Sequence, residues 1–110
     1  MSDYRIIITP DAIRDLVDLR DYIAYVLLTP ETALAYIQTI HLEIGSLAHM
    51  PARNRWVDQE PWHSCDVHKI IVKNFYVYYR IDEAAVTVYV LNVIYTRRDQ
   101  LKALSHMKLD

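Results

Sequence analysis

The sequence predicts an α+β domain: a strand, two helices, then three strands and a short tail. Three observations carry this. Two triplets of Thr, Pro and an acid, Thr9-Pro10-Asp11 and Thr29-Pro30-Glu31, each open an apolar pattern of helical period. From residue 67 to residue 94, β-branched and aromatic side chains dominate, broken only at Asn74 and at residues 82–85. The chain has 110 residues, is 53% apolar, and shows no linker, repeat or low-complexity tract, so residues 1–110 are expected to form one domain.

Residues 4–9 alternate loosely and are rich in isoleucine, which suits a first strand. Thr9 then caps a helix running from about residue 10 to about residue 27, with Pro10 at its first position and Asp11 facing the positive helix end. Ile13, Leu16, Val17, Ile23 and Leu27 recur near its period. Its acids, Asp11, Asp15, Asp18 and Asp21, fall on one stripe and read as a solvated face. In the second helix Ala33, Ile37, Ile40, Ile44 and Leu47 form one apolar stripe that ends near Met50, before Pro51. The connection at Leu28-Thr29 is so short that the helices should form an antiparallel hairpin. Residues 51–65 have no period and read as a loop with at most a short strand. Residues 67–73, 75–81 and 86–94 read as strands joined by tight turns, hence an antiparallel three-stranded meander. Residues 97–107 suit one short C-terminal helix. The helical hairpin should pack on one sheet face, leaving the other exposed or occupied by a partner.

Composition excludes several function classes. With Cys65 alone there is no intrachain disulfide framework, and with Gly45 alone there is no glycine-rich phosphate loop. No apolar run approaches the ~20 residues of a bilayer span, and the N-terminus is too short and polar for a signal peptide, so a cytoplasmic protein without membrane contact is expected. The net charge of -2 argues against a generic nucleic-acid binder. The charge is uneven, however: residues 1–65 carry five Arg against nine Asp and Glu, and residues 66–110 carry seven Arg and Lys against five acids. His63, Cys65 and His68 offer three metal ligands without a fourth, so no metal and no cofactor is expected.

The helix-opening segment TPDAIRDLVDLRDYIA, the second helix ending in SLAHMP, the hairpin VHKIIVKNFYVYYRIDE and the last strand with its basic exit, VYVLNVIYTRRD, together resemble the RelE/ParE superfamily of toxins from bacterial type II toxin–antitoxin systems, over about residues 4–101. The resemblance implies a cognate antitoxin as partner and leaves a homodimer and a toxin–antitoxin hetero-oligomer both open. It implies one of two activities: inhibition of DNA gyrase, as in ParE-like members, or metal-independent mRNA cleavage on the ribosome, as in RelE-like members. A degenerate, non-toxic antitoxin-binding member is a third reading.

Cleavage without metal needs a base for the 2′-hydroxyl, cations for the phosphorane charge and an acid for the leaving oxygen. Set against the family pattern, His68 stands where the hairpin motif carries Arg, and Tyr95 where many members carry His; with Arg97 they are the catalytic candidates if the chain is a nuclease. Lys69, Lys73, Tyr76, Tyr78, Arg97 and Arg98 are the target-binding candidates. Tyr76 replaces the arginine of the nuclease-type segment, and tyrosine supplies no positive charge to clamp a phosphate. This departure, the acidic net charge and the PETA and YRID segments favour the gyrase reading. Strand alternation puts His68 and Lys69 on opposite faces, and separates Phe75, Val77 and Tyr79 from Tyr76, Tyr78 and Arg80, the latter set being expected on the open face. Arg53, Arg55 and Trp56 read as a solvated loop.

Overall fold

A computed structural model describes residues 3–26 and 30–109. Strand β1 (Arg5–Ile8) leads into helix α1 (Pro10–Asp21), which continues as a π-helical turn over Tyr22–Val26. Helix α2 (Pro30–Ser46) follows, then a 3-10 turn (Pro51–Arg53), strand β2 (Arg55–Trp56), the strands β3 (Val67–Val72), β4 (Phe75–Asp82) and β5 (Thr87–Tyr95), and helix α3 (Gln100–Ser105). The five strands make one sheet in the order β1-β5-β4-β3-β2. β1 lies parallel to β5 and the other pairings are antiparallel.

The Thr9 hydroxyl shows how local sequence sets this geometry. It accepts from the Ala12 N–H at 3.4 Å and donates to the carbonyls of Val90 and Leu91 at 2.8 and 3.1 Å, so the cap of α1 also ties the helix to β5. The expected Thr29 cap, the Leu28-Thr29 connection and Leu27 lie outside the described residues. Ala33, Ile40, Ile44 and Leu47 of the second stripe are buried, as its spacing requires.

The first stripe needs correction. α1 and its π-helical extension bury Ala12, Leu16, Leu19 and Ile23, whereas Ile13 and Val17 are 50% and 38% exposed. Helical periodicity fixes which residues share a line, and the docked line runs through Ala12, Leu16, Leu19 and Ile23, about 100° round from Ile13 and Val17. That rotation also turns Asp15 out of the solvated acidic stripe and against β5.

On the helix side, the core joins the buried residues of α1 and α2 to Val72, Val77, Tyr79, Ile81, Val88, Val90 and Val93. The step from Val90 to Val93 breaks strand alternation because of a β-bulge: Tyr78 pairs with Asn92 and Tyr79 with Val90, leaving Leu91 as the extra residue. Leu91 therefore points to the opposite face.

That opposite face is not open. Val67, Tyr78, Leu91 and Ile94 form a second core with Leu104 and Met107, flanked by Trp62, Cys65, Ala103 and Leu109. The C-terminal segment and the loop before β3 close over it. A face carrying a tyrosine, a leucine and an isoleucine gains enough from desolvation to hold a short terminal segment in place.

Candidate functional site

The expected site residues fall into three places. His68 lies on the helix side of β3 and is fully buried. Its ring stacks on Tyr79 at 5.6 Å and meets Trp56 at 4.8 Å. Its Nδ1 is 3.0 Å from the Asn54 carbonyl and its Nε2 is 2.9 Å from an Asp66 carboxylate oxygen, so both nitrogens are engaged within the protein. Nothing approaching from solvent can reach either one.

Lys69, Tyr76 and Tyr78 lie on the other sheet face. Lys69 Nζ sits 4.8 Å over the Tyr76 ring. Tyr78 is fully buried and donates to Gln100 Oε1 at 2.7 Å; burial pushes its phenol up to about 12. Arg80 Nε donates to the Leu109 carbonyl at 3.1 Å, with its guanidinium 4.6 Å over Tyr89. The expectation that Tyr76, Tyr78 and Arg80 share a face holds, but the chain's own tail covers that face instead of solvent or a partner.

Tyr95 and Arg98 lie elsewhere again, in a cleft of about 710 Å³ between the helix pair and the end of the sheet. Its floor is Phe75, Val93 and Tyr95, with the Phe75 and Tyr95 rings 5.4 Å apart. Asp15, Asp18 and Tyr22 wall it on α1 and its π-helical extension, and Tyr36 walls it on α2. Lys73 takes a left-handed φ of 57° in the β3–β4 turn and holds its ammonium 5.5 Å over the Tyr36 ring. Arg97 is exposed beside Arg98.

The catalytic candidates are thus dispersed. His68 pairs with Tyr79 and Tyr95 pairs with Phe75, four positions apart along β4, which is about 13 Å of strand.

Sequence reasoning missed the central polar feature of the cleft. Asp15 Oδ2 accepts from the Val93 N–H at 2.8 Å and from Asn92 Nδ2 at 2.9 Å. Burial raises the Asp15 pKa above its ordinary value, against the lowering effect of those two hydrogen bonds. The available signal was Asn92, a lone amide inside the apolar run of β5.

A strand, two helices and a meander with a basic exit define a small α+β domain of the RelE/ParE superfamily. The family model for the ParE toxin of the type II toxin–antitoxin system, parDE, matches residues 6–100, and the chain belongs to that family. Among solved structures, the chromosomal ParDE system of P. aeruginosa is similar at 21% identity, covering 86% of this chain and 97% of that one, with a TM-score of 0.70. The RelBE2 toxin–antitoxin complex of Mycobacterium tuberculosis is 24% identical over 86% of this chain and 93% of that one, TM-score 0.61. A double mutant of the E. coli toxin RelE in the free state is 13% identical over 94% and 93%, TM-score 0.62. These likenesses establish the fold. No curated protein matches the chain. Among the described residues, no helix is long and apolar enough to cross a membrane.

Proposed function

We propose that this toxin acts by binding rather than by cutting, with DNA gyrase as its target, and that a cognate antitoxin neutralises it. The observation that carries this reading is the dispersal of the acid–base candidates: His68 is sealed and engaged at both nitrogens, four strand positions from Tyr95. RNA cleavage needs an acid and a base around one phosphate. Tyr76 adds support, since the residue standing where nuclease-type members carry Arg is half-buried against Lys69 and Tyr78.

Neutralisation suits the exposed apolar side chains of the helix pair, Ile13, Val17, Leu34 and Leu42, which match the apolar face of an amphipathic helix. The edge strands β1 and β2 offer strand addition as a second mode. ParDE and RelBE2, both similar in fold, are toxin–antitoxin systems.

One observation favours the ribonuclease reading: Tyr95 and Arg98 line the same cleft. Induced expression without antitoxin separates the two. Filamentation with a DNA-damage response and intact mRNA, together with loss of supercoiling by purified gyrase, is the expected result. Primer extension showing cuts at ribosome-phased positions overturns it, and Arg97→Ala should then relieve toxicity without loss of folded protein. Normal growth would mark a degenerate, antitoxin-binding member.

A further inference from the structure

The buried ring of His68 stands between two hydrogen-bond acceptors. One is the Asn54 carbonyl, 3.0 Å from Nδ1; the other is an Asp66 carboxylate oxygen, 2.9 Å from Nε2. A neutral imidazole carries one N–H, so it satisfies one acceptor and turns a lone pair on the other. The imidazolium carries two N–H groups and satisfies both. The geometry is therefore that of a charged ring paired with a carboxylate inside the fold. His63 differs: it is exposed, and its Nδ1 meets the Val57 carbonyl at 3.1 Å, a contact that a neutral or a charged ring makes equally. Among the described residues, no group of three His, Cys, Asp or Glu side chains is placed to hold a metal ion.

The two acceptors lie at the entries to neighbouring strands. Asn54 immediately precedes β2, and Asp66 immediately precedes β3 with a left-handed φ of 61°. β2 is the edge of the sheet and two residues long, so its ladder to Lys69 and His68 is short and each further tether counts. Tyr79 of β4 stacks on the ring and donates its phenol to the Pro51 carbonyl at 2.6 Å; burial pushes that phenol up to about 12, so it stays neutral. Trp56 lies between His68 and His63, with ring centroids 4.8 Å from each. Arg53 of the 3-10 turn is within electrostatic reach of Tyr79, and Tyr4, which donates to Glu83 at 2.6 Å, is within reach of Asp66.

We propose that His68 is a proton-operated pin for the edge of the sheet: charged, it clamps the entry of β2 to the entry of β3; neutral, it releases Asn54, and β2 opens from β3 more often. The carboxylate is the stronger acceptor, so the single N–H of the neutral ring stays with Asp66 and the bare nitrogen faces the Asn54 carbonyl. The proton exchanges with water at Asp66, whose side chain is 31% exposed while that of His68 is 0%. Histidine is the side chain whose charge ordinarily changes between about pH 5 and pH 8. Opening uncovers the backbone of β3, so protonation governs how readily an extended segment adds at this edge. The pin is independent of which target the toxin has.

The test is amide hydrogen exchange of the purified full-length protein at about pH 5 and about pH 8, each corrected for the intrinsic exchange rate. The Val57 N–H, which donates to the Val67 carbonyl, should open about tenfold more often at the higher pH, as loss of one charge-assisted hydrogen bond implies. Val77, in the middle of β4, should keep its protection. Asp66→Asn supplies an amide that donates to the bare nitrogen of a neutral ring, so every partner is satisfied without the charge. Asparagine also tolerates the left-handed backbone at this position. That variant should keep Val57 protected at both pH values, and His63→Gln should leave the wild-type difference intact. Nitrogen NMR shifts of the His68 ring read the same event in the unaltered protein: both nitrogens protonated at the lower pH, one bare at the higher. Equal opening of Val57 at both pH values, a difference that survives Asp66→Asn or vanishes in His63→Gln, loss of Val57 protection in folded Asp66→Asn, or a ring whose protonation is the same at both pH values would each overturn the proposal.

Discussion

Asp15 shows at the scale of one residue what a helical wheel leaves open. The spacing of the four acids of α1 places them correctly relative to one another. It does not say that the Leu91 bulge would aim the Val93 N–H at one of them. Burial outweighs the two hydrogen bonds, so the folded state holds its Asp15 proton more tightly than the unfolded chain does. The sign follows from proton linkage. Between the ordinary value of 3.8 and the raised folded one, the native state binds more protons, so the Asp15 contribution to stability falls as pH rises. It is level below that window, where both states are protonated, and level again above it. Urea unfolding of wild type and Asp15→Asn, compared at each pH, should show a difference that moves against wild type with rising pH across that window. A difference that is flat or moves the other way would mean that the hydrogen bonds dominate. His68 makes a similar point. Alternation separated it from Lys69, as the structure has them, but its engagement by Asn54 and Asp66 depends on the turn and loop flanking β2 and β3, where the sequence has no period.

At the scale of elements, the strands and helices were legible because their signals are local: Thr-Pro starts, an unbroken apolar stripe in α2, and β-branched runs cut by short turns. The role of the tail was not. α3 has six residues and little periodicity, and its importance lies in what it covers: Tyr78, Leu91 and Ile94. Leu104 and Met107 are 4% and 6% exposed and anchor it. Truncating either to alanine removes buried methylenes and should cost about 2 kcal/mol, the low end for such changes, because a terminal segment can detach before the whole domain unfolds. Detachment sets a ceiling. The double variant should therefore cost less than the sum of the singles, since the second change acts on a segment already loose. Denaturant unfolding gives the three values, and an apolar dye should bind the double variant more strongly. Strict additivity without dye binding would show that the tail unfolds only together with the sheet.

At the scale of the whole molecule, order and architecture follow from the sequence, because helices that precede a meander can cover only one sheet face at a time. What covers the second face is a long-range packing outcome, and local patterns carry no information on it. Charge is a whole-molecule property of the same kind, and it leads to a prediction. The net charge is -2, and the β3–β4 turn and the exit of β5, at one end of the sheet, carry three exposed cations, Lys73, Arg97 and Arg98. Arg98 lines the cleft together with Asp15 and Asp18 of α1. Each phosphate neutralised on a single strand contributes about -0.7 to the slope of log K against log salt, so three cations give a slope of about -2. Affinity for a generic single-stranded RNA should accordingly be weaker than about 0.1 mM near 0.15 M salt, outside the range of ordinary non-specific binders. Fluorescence anisotropy with a labelled oligonucleotide between 0.05 and 0.2 M salt measures both quantities. A shallow slope with weak binding is what a toxin acting on a protein target requires, since such a toxin gains nothing from holding nucleic acid. A slope near -5 would need a continuous basic track of about seven phosphate contacts. The acidic wall of the cleft interrupts any such track there, so that slope would locate RNA on another face and favour the ribonuclease reading.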